Sequence, residues 1–316
     1  MTKARFTHYL LIPLLLISNL ALAAQSIDKQ IKVTDDLRLN VKVLRGKVKI
    51  KSWDKQEISV QGTLDELSEG FILEQQGNSV TLEDKMPRQF SGKNNNGSSL
   101  IITVPKNLSL YAEGISSSYY LSNLVGDISI NTVSGDIKAI KLTDEVLIHT
   151  ISGDIVTNGL KGNIKLDTVS GTIKDQNSGG EISYKSVSGK LNANSRATKV
   201  SIEQVSGDGK IMLQKVDKLQ VRSVSGDIVL SLSALESVAN LESVSGDIKL
   251  ELPQVINARF SLNGGPGGKI HNRYSDDKPA KEKYSPTSYL KFQTGNPTSD
   301  IKINTISGDI ELTKRM

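Results

Sequence analysis

The chain has 316 residues, a formal charge of +5, no cysteine and 4% aromatic residues. Without cysteine there is no disulfide framework, no thiolate metal site and no lipidated cysteine anchor. Lysine and arginine are scattered among aspartate and glutamate, the pattern of a mixed solvated surface and not of a nucleic-acid stripe.

The first element is residues 1–23. Lys3 and Arg5 precede an apolar run from Tyr9 to Ile17, and Ala21-Leu22-Ala23 follows. A basic start, an apolar segment short for a membrane span and an A-x-A site read as a secretory signal peptide cleaved after Ala23. The alternative is an uncleaved N-terminal anchor. Removing Lys3 and Arg5 lowers the charge from +5 to +3. No later stretch reaches transmembrane length, so the expected site is the periplasm or the cell surface.

Residues 24–126 read as degenerate β coils and a cap. "LRLNVKVLRGKVKIKSW" and "EISVQGTL" alternate apolar and polar positions, with Gly46 and Gly62 at corners. Phe90 to Leu100 is a polar loop, "LIITVP" a strand ended by Pro105, and Trp53 a lid over the first coils.

Residues 127–262 carry a repeat. "VSGD" or a close variant begins at 133, 151, 169, 187 and 205, each 18 residues apart, then at 224 and 244. A period of 18–20 residues indicates a solenoid. Paired apolar residues flank each motif at alternate positions, such as Val146 with Ile148 and Ile164 with Leu166, the pattern of half-buried strands. A second glycine phase at Gly126, Gly162 and Gly180 divides the unit in half. The expected fold is all-β: a parallel β-solenoid (β-helix) with two strands of about five residues per coil, right-handed, its coils stacked about 4.8 Å apart.

Two explanations compete for the motif. In the architectural one, Gly135, Gly153, Gly171, Gly189, Gly207, Gly226, Gly246 and Gly308 adopt φ > 0 at tight corners. Ser and Asp then satisfy nearby backbone groups, and the flanking Val and Ile anchor the corner in the core. In the other, Asp208, Asp227 and Asp247 form a ladder that takes a hard cation such as Ca²⁺. Thr172 and Lys190 interrupt that column, and the G-G-x-G-x-D pattern of calcium rolls is missing, so architecture is favoured and no metal or other cofactor is expected.

Residues 263–297 leave the period. They read as a hairpin-like excursion, either a cap on the sheet edge or a partner-contacting loop using Arg273, Tyr274, Lys283, Tyr284 and Tyr289. Residues 298–316 close the stack. No catalytic residue is expected: His149 and His271 are far apart, with His149 in an outward strand phase, and no G-x-S-x-G, H-E-x-x-H or P-loop occurs.

The combination of "LIITVPKNLSLYAEG", "LVGDISINTVSGDIKAIKL" and the terminal "INTISGDIEL" resembles the bacterial putative-adhesin β-strand-repeat family of unknown function. The resemblance covers about residues 30–314 and departs at Thr172, Lys190 and Gly209. It implies the solenoid and transfers no catalytic residue. The leading expectation is an exported, non-enzymatic module for adhesion, envelope binding or sensing. Its partner would be an envelope glycan or protein, with no nucleic acid, and the chain itself monomeric or weakly self-associating. The alternatives are a polysaccharide-active β-helix enzyme and a self-assembling envelope structural protein.

Overall fold

The computed structural model describes residues 25–88, 97–281 and 283–315. The signal peptide and most of the polar loop at 90–100 lie outside the described residues. Twenty-seven strands and no helix are present among them.

In the regular region each coil is one long and one short strand, not two of equal length. Thr143–Thr150 has eight residues and Ile155–Asn158 has four. Long strands stack only on long strands: Val125–Thr132, Thr143–Thr150, Lys161–Thr168, Gly179–Ser186 and Lys199–Gln204 pair in parallel register. Short strands form a second parallel ladder of Ser116–Ser122, Ile137–Ile140, Ile155–Asn158, Ile173–Gln176 and Leu191–Ser195. Inward residues of both ladders, among them Val146, Ile148, Ile155 and Ile173, form one buried apolar cluster. The drift of the period to 19 and 20 has a local cause. In Gly209–Ser223 and Ile228–Ser243 the second corner opens into a continuous bent strand, with a register shift between Val216 and Lys218.

The corner works differently from the sequence expectation in three respects. First, only Gly207 and Gly226 of the eight corner glycines have positive φ. What all share is close approach. A Cβ on Gly153 would lie 2.0 Å from the carbonyl oxygen of Gly135, and one on Gly171 would lie 1.8 Å from that of Gly153. Second, the Val or Ile opening the motif faces solvent: Val205 is 48% and Ile306 53% exposed. The apolar anchor is the residue after the four-residue motif, such as Ile137, Ile155 or Ile173, fully buried. A buried polar residue before the motif fixes the turn. Thr150 Oγ1 accepts the Gly153 N–H at 3.0 Å, and Thr168 and Ser186 treat Gly171 and Gly189 alike. Third, the motif serine side chains are exposed; the hydrogen-bonding group is Asp, and it acts between coils. Asp136 Oδ1 accepts the Asp154 N–H (2.9 Å), and Asp154 that of Thr172 (2.8 Å). Beyond Lys190 the relay resumes from Asp208 through Asp227, Asp247 and Asp309 to the N–H of Lys269.

Both ends of the stack break sequence order. Residues 298–316 do not close it: Ser299–Thr305 lies between Ile228–Ser243 and Ala258–Asn263, and Ile310–Lys314 between Ile248–Leu252 and Ile270–Asn272. At the other end Arg38–Lys42 lies between Ser79–Lys85 and Ser109–Glu113. Arg45–Trp53 likewise lies between Ser98–Pro105 and Ser116–Ser122. Antiparallel strands cover the outermost coils: Glu57–Thr63, with Ser26–Lys32 beyond it, Gly70–Gln76, and Ser288–Gln293. Reversing direction ends a parallel ladder with a strand from the same chain. A buried pair of Arg45 with Asp65 (2.8 Å) ties the N-terminal cap to its coil. Trp53 is half-buried, and its Nε1 donates to the Glu57 carbonyl (2.8 Å) across a turn.

Three aspartates are buried among the described residues, Asp65 and Asp84 in the N-terminal region and Asp175 inside the regular coils. Asp175 accepts hydrogen bonds from Thr157 (2.5 Å), Ser178 (2.5 Å) and Tyr184 (2.8 Å). Burial raises its pKa above the usual carboxylate range, and the three hydroxyls offset this only in part.

Three outcomes follow from these contacts. Gly153→Ala should cost about 1–3 kcal/mol in chemical denaturation, because the methyl meets backbone, and Gly226→Val at least as much. Gly179→Ala should be near neutral, since the nearest atom to its Cβ is 4.0 Å away. Equal melting of Gly153→Ala and Gly179→Ala would refute the close-approach explanation. Asp227→Asn keeps an acceptor and should cost less than about 1 kcal/mol, and Asp227→Ala should cost more. Asp175 is raised on folding, so its stabilising contribution is full below the unfolded pKa and is lost as pH rises through the folded one. Asp175→Asn should therefore gain on wild type between pH 4 and pH 7 in paired melts; a pH-independent difference would remove this role.

Candidate binding face

The residues singled out in the sequence do not converge on one site. Asp208, Asp227 and Asp247 stand in a column, but one oxygen of each accepts the N–H of a later corner residue. Among the described residues no group of three His, Asp or Glu is placed to hold a metal ion. Within 263–297 the five contact candidates separate. Tyr274 is a correction: it is 5% exposed, packs 5.9 Å from Phe260, and its hydroxyl lies 3.1 Å from the Pro253 carbonyl. Phe292 stacks on the other side of Phe260 at 4.3 Å, so the segment builds the core of the C-terminal cap. Arg273 pairs with Glu311 (2.9 Å). Lys283 and Tyr284 sit together in an outer loop, and Tyr289 is on the antiparallel strand Ser288–Gln293, paired with Asn263 on one side and Ala280 on the other.

In-register stacking sorts the outward side chains into straight rows, and the two faces sort charge differently. On the long-strand face one row reads His149, Asp167, Lys185, Glu203, Arg222, Glu242. Signs can alternate at every step, and two steps are ion pairs: Lys185 with Glu203 (2.9 Å) and Arg222 with Glu242 (3.4 Å). Between this row and the exposed ridge of Val169, Val187, Val205 and Val224 runs a groove of about 470 Å³. Burial there raises the Asp167 carboxyl, against the attraction of Lys185 and His149. On its floor the Thr168 and Ser186 oxygens accept corner N–H groups and the Ser223 hydroxyl donates to the Gly226 carbonyl.

The short-strand face has no such alternation. Its central row reads Lys49, Tyr120, Lys138, Val156, Lys174, Asn192, Lys210. Lys47 and Lys51 flank Lys49 on the same strand. From Ser98–Pro105 and Arg45–Trp53 through Leu191–Ser195 to residue 213, no outward position on this ladder is Asp or Glu. Tyr120 lies between two ammonium groups, 5.4 Å from Lys49 Nζ and 5.7 Å from Lys138 Nζ. Around it is a groove of about 560 Å³ with Ile101, Val156 and Tyr120 as apolar lining, Lys47, Lys49 and Lys138 as cations, and Asp136 and Asp154 at the corner rim. A neighbouring row carries the amides of Asn158, Gln176 and Asn194. The linear sequence hides this face, because its lysines lie some 36 residues apart and look scattered. They meet only when outward phase and coil register are known together.

No helix among the described residues is long and apolar enough to cross a membrane. No curated protein matches the chain. Solved structures that the chain matches include a "putative cell adhesion protein" from Clostridium sporogenes ATCC 15579: 14% identity, 92% of this chain and 100% of the other covered, TM-score 0.22. A "putative adhesin" from Parabacteroides distasonis ATCC 8503 is 13% identical, with 92% and 97% covered and a TM-score of 0.43. A "Putative lipid binding protein" from the same organism is 15% identical, with 91% and 96% covered and a TM-score of 0.34. At these scores the likenesses carry no argument about function. The Toastrack DUF4097 family model matches residues 34–313. That span takes in the capped ends and every SGD coil, and the protein belongs to the Toastrack DUF4097 family, a β-solenoid family of unknown function.

Proposed function

We propose that this protein is an exported, non-enzymatic binding module of the cell envelope, and that it binds through the short-strand face. The observation that carries the reading is the segregation of charge. One fold supplies two faces with the same strand spacing; one interleaves opposite charges and the other, as far as residue 213, gathers lysines with no outward carboxylate. Lysines held in parallel rows repel one another, and an anionic ligand relieves that repulsion. Export is supported by the basic, apolar and A-x-A succession of residues 1–23.

Two measurements test this. Expressed with its leader, the protein should be recovered outside the cytoplasm with a mass that begins at residue 24; an intact cytoplasmic chain would contradict export. Purified protein should be retained by the envelope fraction. The triple variant Lys138→Asn, Lys174→Asn, Lys210→Asn should lose about 90% of that retention while folding normally. Lys165→Asn with Lys302→Asn, on the long-strand face, should retain it. Equal retention of all three proteins would remove the short-strand face from the account.

A further inference from the structure

Lysine occupies every second strand of the central row: Lys49, Lys138, Lys174, Lys210, and then Lys249 beyond Val229, this last one ion-paired with Glu251 (3.3 Å). Strands in a ladder are about 4.8 Å apart, so successive lysines stand about 10 Å apart along a straight line of about 40 Å. The residues between them are Tyr120, Val156, Asn192 and Val229, none of them charged. The adjoining row runs Ile140, Asn158, Gln176, Asn194, Met212. Among the described residues no hydrogen-bond partner stands against the side-chain amides of Asn158, Gln176, Asn192 or Asn194, and all four are exposed.

We propose that this face binds a linear anionic polysaccharide, laid along the solenoid axis with its acidic groups on the lysine row and its hydroxyls on the amide row. The inference rests on the envelope-binding reading and names the chemistry of the ligand. A periodic, one-dimensional line of cations is complementary to a polymer that carries its charge at intervals. Amides give and accept hydrogen bonds at once, which matches sugar hydroxyls. Tyr120, with the ammonium groups of Lys49 and Lys138 over its ring, fixes where two of the cations stand. A membrane surface would use the lysines but would leave the amides without a role. The whole chain beyond the leader nets only +3, so the attraction is local to this face and is screened as salt rises.

The test uses purified residues 24–316 and three immobilised probes: a linear polyuronate, an uncharged dextran and phosphatidylglycerol vesicles. Binding to the polyuronate alone is expected, weakening about tenfold or more between 50 and 200 mM salt, as charge neutralisation of a polyanion requires. Lys138→Asn, Lys174→Asn, Lys210→Asn should weaken it at least about tenfold. Asn158→Ala, Gln176→Ala, Asn194→Ala should weaken it about threefold to tenfold at unchanged net charge, with circular dichroism and melting as fold controls. Equal or stronger binding to the vesicles, or indifference to the amide variant, overturns the polysaccharide assignment. So does a protein that the envelope fraction retains but the polyuronate does not, and in that case the broader reading survives. Loss of both kinds of binding in the wild type sinks both.

Discussion

The structure depends on one close approach: the backbone of each corner passes so near the corner below that only hydrogen fits between them. A Cβ on Gly135, Gly153, Gly171, Gly189, Gly246 or Gly308 would lie within about 2 Å of a carbonyl oxygen one coil earlier. That contact sets coil upon coil with no lateral slip, and neighbouring groups hold it there. Thr150 and Thr168 hydroxyls take the glycine N–H from inside, Asp carboxylates take the next coil's N–H from outside, and Ile155 and Ile173 fill the core beneath. The motif is therefore a register device. Asp in it is a clamp between coils, its carboxylate accepting the next coil's N–H.

Register has a functional consequence. In a sheet whose coils cannot slip, a residue repeated at the same phase becomes a straight row, and the composition of a row is a surface property that no single coil carries. The alternating row from His149 to Glu242 neutralises itself through its own ion pairs. The row from Lys49 to Lys210 cannot, because its intervening members are Tyr, Val and Asn. The capped ends complete the picture. The coil of Ser299–Thr305 and Ile310–Lys314 is inserted one layer inside the stack, and Phe260, Tyr274 and Phe292 close the layer outside it. Tyr274, one of three tyrosines that suggested a contact loop, is part of the filling of a cap, while Tyr284 and Tyr289 are exposed.

The sequence made the solenoid legible, because the 18-residue period and period-2 alternation are local signals. Three things were not legible. The exposure of Val205 and Val224 could not be read, since a β-branched residue beside a corner looks like an anchor until the turn direction is known. The inserted end coils could not, because chain order is a good guide to stacking order everywhere except at the ends. The fate of Tyr274 could not either: its partners Phe260 and Phe292 belong to different strands, one parallel and one antiparallel to the rest. The lysine face sits between these cases. Its residues are visible in the sequence, but they assemble only after long and short strands are distinguished.

The account's central claim is that corner-locked register turns dispersed lysines into one ligand-binding line. Lysine footprinting reads this directly: the rate of acetylation at each lysine is followed by mass spectrometry with and without a linear polyuronate. The account predicts slowed labelling at Lys49, Lys138, Lys174 and Lys210 together, with Lys165 and Lys302 on the other face unchanged. Protection that falls instead on Lys165 and Lys302, on Lys281 and Lys283 of the cap, or evenly on all lysines would contradict it.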